Sequence, residues 1–179
     1  SWEACYFDFN TDKFLNFIDN AKELGINLVV MDDGWFGKRN NDLCSLGDWN
    51  VNREKIDLKK IIDYAHSLGI QFGIWIEPEM ISYDSNLYRE HPEFALFDSK
   101  TNPTLLRHQF VLDMTNDKAI NAVYSQLKEI FDEYEIDYCK WDFYRFITEA
   151  VSKTLQNPHQ FEIYHRFILG TYKLLDKFV

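Results

Sequence analysis

Short apolar runs alternate with longer amphipathic ones along the whole chain, and the short runs end in acidic residues. This alternation limits the fold more than any other feature. Residues 4–9, 27–31, 71–76, 107–114 and 137–142 read as strands, and residues 11–24, 58–68, 116–134 and about 159–179 read as helices. In the first helix Phe14, Leu15, Phe17, Ile18 and Ala21 fall at helical spacing, with Thr11 as the expected cap and Gly25 as the stop. The run 27–31 is apolar almost throughout, as a strand buried on both faces should be. Strands that each precede a helix pair in parallel through right-handed crossovers. A barrel and a doubly wound sheet both satisfy this. No glycine-rich phosphate loop follows the first strand, which weighs against nucleotide binding. A closed barrel takes eight strands and about five are legible here, so the expectation is part of a barrel or an open sheet.

The acids are Asp8, the pair Asp32 and Asp33, Glu77, Asp113 and Asp142, one set for each strand. In parallel α/β folds ligands bind at the carboxyl ends of the strands, so these groups should meet at one mouth. Gathering like charges costs free energy that a design for stability alone would avoid. Two chemistries explain it: a hard metal ion held by carboxylates, or glycoside cleavage through a cation-like transition state. Asp8 and Asp113 stand before helix starts and are equally well explained as caps. Trp35, Trp49, Trp75 and Trp141 lie near strand ends or on the long segment 34–57, where an indole can stack on a sugar. Lys140 and Asp142 are two apart on one strand and share a face, so Lys140 is expected to hold Asp142 ionised; the plainer alternative is a buried ion pair.

A net charge of −10 leaves no basic stripe for nucleic acid and fits neither an anionic membrane nor a phosphorylated substrate. Cys5, Cys44 and Cys139 form no metal spacing, and their odd number reads as reduced thiols in a cytoplasmic protein. No run of the sequence reaches the length of a membrane span.

Met31-Asp-Asp-Gly-Trp-Phe-Gly37, Leu46-Gly-Asp-Trp49, Phe72-Gly-Ile-Trp-Ile-Glu-Pro-Glu-Met80, His91-Pro92 and Lys140-Trp-Asp142 resemble the α-galactosidases (melibiases) of glycoside hydrolase family 36, as does the opening Ser1-Trp-Glu-Ala4. The resemblance covers nearly the whole chain. It implies an α/β fold of the partial (β/α)8 TIM-barrel kind, about the first five βα units. Residues 1–179 would be the N-terminal part of the catalytic domain, the end of the barrel and flanking β domains being absent. It implies retaining hydrolysis of terminal α-galactosides by double displacement, with Asp142 as nucleophile and no metal or other cofactor. Asp32, Asp33, Arg107 and Lys140 would bind sugar hydroxyls, and Trp75 and Trp49 would pack at the sugar. The acid/base residue would lie beyond this chain, leaving it inactive alone. The family usually continues its Lys-Trp-Asp motif with Met-Asn-Arg, whereas this sequence has Phe143-Tyr144-Arg145. Tyr144 therefore stands where Asn would meet the substituent on sugar carbon two, and a preference for α-N-acetylgalactosaminides stays open. The competing readings are a metal-dependent barrel lyase or isomerase and a non-catalytic sugar-binding fragment. The expected partner is an α-galactoside oligosaccharide; a homo-oligomeric full-length enzyme is left open.

Overall fold

The computed structural model describes residues 1–97, 103–143, 146–148, 150–156 and 158–179. A short helix α1 (Trp2–Cys5) leads through a turn to α2 (Thr11–Glu23). The side chain of Asn10, one residue before the expected cap, accepts from the Lys13 amide at 3.0 Å and starts α2. Phe14, Ile18 and Ala21 form its buried stripe, each large apolar side chain contributing about 2 kcal/mol. Gly25, at φ 71°, ends the helix in the left-handed conformation that glycine adopts without strain.

Strand β1 (Leu28–Met31) pairs in parallel with β2 (Gln71–Ile76), which pairs in parallel with β5 (Tyr138–Trp141). Helix α3 (Leu58–Ser67) makes the first crossover and is capped by Asp57, whose carboxylate accepts from the Lys60 amide at 3.0 Å. Helix α5 (Asp117–Glu133), capped by Asn116, makes the second. The sheet order β1-β2-β5 follows the chain order of these strands. The expected tail helix resolves into a single 3-10 turn, His159–Glu162, and α6 (Ile163–Leu175). Gly170 lets α6 close onto the turn before α5, because a Cβ there would come within 1.7 Å of the Met114 carbonyl oxygen.

Two expected parallel strands are not part of this sheet. Residues 4–9 form the end of α1 and a turn in which Tyr6 takes φ 47°, incompatible with an extended run. Residues 109–111 do form a strand, β4 (Gln109–Val111), but it pairs antiparallel with β3 (Met80–Ser82). The reason is that both edges of β2 are already taken, one by β1 and the other by β5. The excursion 77–116 therefore makes its own two-stranded ribbon beside the short α4 (Asn86–Glu90). Among the described residues three strands, not five, lie parallel.

Beneath the carboxyl ends of the strands Trp35, Phe36, Trp49 and Trp75 form one buried aromatic cluster, with Phe36 stacked on Trp75 at 6.2 Å. Trp35 donates its indole N–H to the Trp75 carbonyl at 2.8 Å, fixing the first loop against β2. Among the described residues no helix is long and apolar enough to cross a membrane.

Candidate active site

The end of β1 delivers Asp32 and Asp33 side by side, and the two differ in what holds them. Asp32 Oδ1 accepts from the Asp33 amide at 2.9 Å, and its Oδ2 takes the Lys140 ammonium at 2.6 Å. Asp33 is gripped by two guanidinium groups. Arg39, fully buried, donates Nε to Oδ1 and Nη2 to Oδ2, both at 2.9 Å, while Arg107 Nη2 reaches Oδ2 at 3.1 Å. The remaining Arg39 nitrogen donates to the Cys44 carbonyl at 2.8 Å. A planar guanidinium suits this bidentate grip better than an ammonium would.

Asp142 follows the last residue of β5, and its amide continues the ladder by donating to the Ile76 carbonyl at 2.8 Å. Its carboxylate Oδ2 accepts from the Trp75 indole at 2.9 Å, and Oδ1 from the Phe143 amide at 2.9 Å. Parallel register places Trp75 opposite Lys140, so the Asp32–Lys140 pair and the Trp75–Asp142 pair are neighbours. Asp32, Asp33, Trp75, Arg107, Lys140 and Asp142 thus meet at one end of the sheet, although they span much of the sequence. Tyr144 lies outside the described residues.

Three details correct the sequence-based expectation. Lys140 does share a face with Asp142, but its charge is engaged by Asp32. Arg107, expected only as a binder of sugar hydroxyls, is itself ion-paired with Asp33 and Asp42. Trp49 and Trp75 are each 1% exposed, so neither offers an open ring face; Trp75 meets the site through its N–H, and Trp49 packs behind it at 6.3 Å. Two other strand-end acids stand apart. Asp8 is exposed and paired with Lys13. Asp113 is fully buried and accepts from the hydroxyls of Thr115 and Ser152, pinning the segment after β5 to the turn before α5. Among the described residues no group of three or more His, Cys, Asp or Glu side chains is arranged to hold a metal ion.

Sequence reasoning missed four contributors. Arg39 and Asp42 sit in the long first loop, where an Arg six residues after Asp33 was the only signal. Trp2 carries the Arg107 guanidinium over its ring at 5.6 Å. Glu79, buried behind β5, takes the Trp141 indole N–H on both oxygens at 3.0 Å. Burial pushes its carboxyl up to about 7; the Trp141 hydrogen bond opposes the rise and the charge of Asp142 adds to it. Burial likewise raises the Cys139 thiol to about 11. None of the three cysteines is in a disulfide.

The sequence profile of the Melibiase family matches residues 1–179. Alpha-galactosidase Mel36A of Lactobacillus acidophilus is 45% identical over 181 residues, which cover 100% of this chain and 25% of that protein. The crystal structure of an alpha-galactosidase from Lactobacillus brevis superposes with a TM-score of 0.95 at 42% identity, covering 99% of this chain and 24% of that one. That of the GH36 alpha-galactosidase AgaA (A355E D548N) from Geobacillus stearothermophilus, in complex with raffinose, gives 0.94 at 43%, covering 98% of this chain and 25% of that one. The chain spans about a quarter of the length of these relatives. It belongs to the Melibiase family, as a segment that carries one strand-end carboxylate cluster of a GH36-type enzyme.

Proposed function

We propose that this chain is the N-terminal part of a (β/α)8-barrel catalytic domain that removes terminal α-linked galactose with retention of configuration. The two crossovers and the three parallel strands support a barrel segment, with β1 and β5 as the edges the remaining strands would join. The observation that carries the function is the different treatment of the carboxylates at one mouth. Asp32 and Asp33 are neutralised by Lys140, Arg39 and Arg107, while Asp142 is met, among the described residues, only by neutral N–H donors.

In this reading the oxygens of Asp32 and Asp33 keep lone pairs with which to accept sugar hydroxyls, while Lys140 and Arg107 donate to them. Asp142 attacks the anomeric carbon as the bond to the leaving oxygen breaks, giving a covalent glycosyl ester that water then cleaves. Its uncancelled charge also favours the oxocarbenium-like transition state on either side of that ester. The Trp75 indole and the Phe143 amide orient the carboxylate without cancelling its charge. The acid/base partner belongs to the part of the protein outside this chain, and the chemistry asks for no metal. A metal-dependent reaction is a poorer fit, because the cations on Asp32 and Asp33 occupy the places a divalent ion would need. Raffinose-type oligosaccharides are the proposed substrates, by likeness to the AgaA complex. A cytoplasmic location is proposed from the three free thiols.

The test is hydrolysis by the complete protein, followed by NMR. Aryl α-galactosides, with the α-N-acetylgalactosaminides alongside, should yield the α-anomer first. Initial release of the β-anomer, or no turnover of either sugar, would overturn the proposal.

A further inference from the structure

The loop between β1 and α3 reaches across to the turn that carries Arg107, and one carboxylate joins them. Asp42 Oδ1 accepts from Arg107 Nε at 3.0 Å and from Nη2 at 2.5 Å, and it also meets Arg39 Nη2 at 3.5 Å. The backbone beneath Arg107 is strained. Arg107 and His108 take φ 52° and 59°, the left-handed region that a non-glycine residue enters at a cost. The residues just before this turn, Leu105 and Leu106, are 43% and 42% exposed, so the turn lies near the surface. What fixes the guanidinium is therefore its side-chain company, and Asp33 already has both oxygens engaged by Arg39. Two arginines on one carboxylate also leave an excess positive charge, which Asp42 offsets by direct contact and Glu77 from farther off.

We propose that Asp42 is a positioning residue, holding Arg107 beside Asp33 so that the two act on the sugar as one preset unit. The inference rests on the reading of Arg107 as a hydroxyl-binding group. It calls for Asp42→Ala, Asp42→Asn, Arg107→Ala and the Asp42→Ala/Arg107→Ala double variant in the complete protein. Each would be assayed on an aryl α-galactoside, with thermal melting as the check on folding. Asp42→Ala should raise KM about tenfold while changing kcat by less than about threefold, the size expected for losing charge-assisted hydrogen bonds that orient a binding group. Asp42→Asn, which keeps one acceptor, should recover part of the loss. Adding Asp42→Ala to Arg107→Ala should cost less than about a further twofold. Fully additive losses, or an unchanged KM in Asp42→Ala, would overturn the proposal. A crystal structure of Asp42→Ala, or of Asp42→Asn if the former does not fold, provides a readout independent of activity. Arg107 should leave hydrogen-bond distance of Asp33; if it stays, the proposal fails even where galactoside hydrolysis is observed. An inactive parent protein with a displaced Arg107 would sink the functional reading and leave the positioning role standing.

Discussion

Asp33 and Asp142 stand at the ends of strands in one sheet, and their surroundings are opposites. Asp33 is 1% exposed and receives three N–H bonds from two guanidinium groups. Asp142 is half-buried and receives two among the described residues, one from an indole and one from a backbone amide. A carboxylate in the first setting is fixed and neutralised, able to accept a hydrogen bond but not to attack. One in the second is oriented but still carries a net charge to offer an electrophilic carbon. The difference teaches that the count of acids at a mouth says little, and that what cancels each one decides its role.

The sharpest way to break the comparison is to remove the charge said to be uncancelled. In the complete protein Asp142→Ala should lower kcat by on the order of 10⁴-fold with a normal melting curve, and azide should restore part of it by occupying the vacated space. Near-normal turnover would make the two carboxylates equivalent after all. On the Asp33 side the expected loss is in stability. Arg39→Ala leaves a buried carboxylate with one of its two cations gone and should destabilise the fold by about 3–5 kcal/mol in denaturant titration. A change within experimental scatter would show that Asp33 does not depend on that grip.

Glu79, the buried acid behind Asp142, extends the contrast to a third carboxyl group. Its folded pKa of about 7 lies above its value of 4.5 in an unfolded chain, so the unfolded state releases its proton first as pH rises. The favourable contribution of the protonated form is complete below about pH 4.5 and is lost as pH rises through about 7. Glu79→Gln keeps an acceptor for Trp141 but cannot ionise. It should therefore gain stability relative to the parent protein between those limits, reaching on the order of 3 kcal/mol above pH 7. Parallel stability–pH curves for the two proteins would contradict this. The smallest effect belongs to Trp75→Phe, which removes one neutral donor from Asp142 and leaves a small cavity in the aromatic cluster. A fall in kcat of about tenfold is expected, with KM little changed. A fall as large as that of Asp142→Ala would mean that the indole does more than orient.

Much of this was legible in the sequence because it rests on local signals. The periodicity of Phe14, Ile18 and Ala21 and the apolar run ending at Met31 located their elements to within a residue or two. What was not legible depended on pairing. The run 107–114 has strand-forming residues, but nothing in it says that β2 has no free edge to offer, so its antiparallel match with Met80–Ser82 could not be read. The same holds in the site. The spacing of Lys140 and Asp142 puts both on one face, yet spacing cannot say that Asp32, on a strand two places away in the sheet, captures the ammonium. Arg39 and Asp42 lie in a segment without periodicity, and only the folded loop reveals that they serve Asp33 and Arg107.

The central claim, that Asp142 is the group that bonds to the sugar, is tested most directly by trapping. The complete protein would be treated with a fluorinated α-galactosyl fluoride that forms the glycosyl ester quickly and releases it slowly, then digested and analysed by mass spectrometry. The expected result is one fluorogalactosyl group, carried on the peptide containing Asp142 and localised to that residue by fragmentation. A label on Asp32, Asp33 or Glu79, or turnover of the reagent with no covalent label at all, would contradict it.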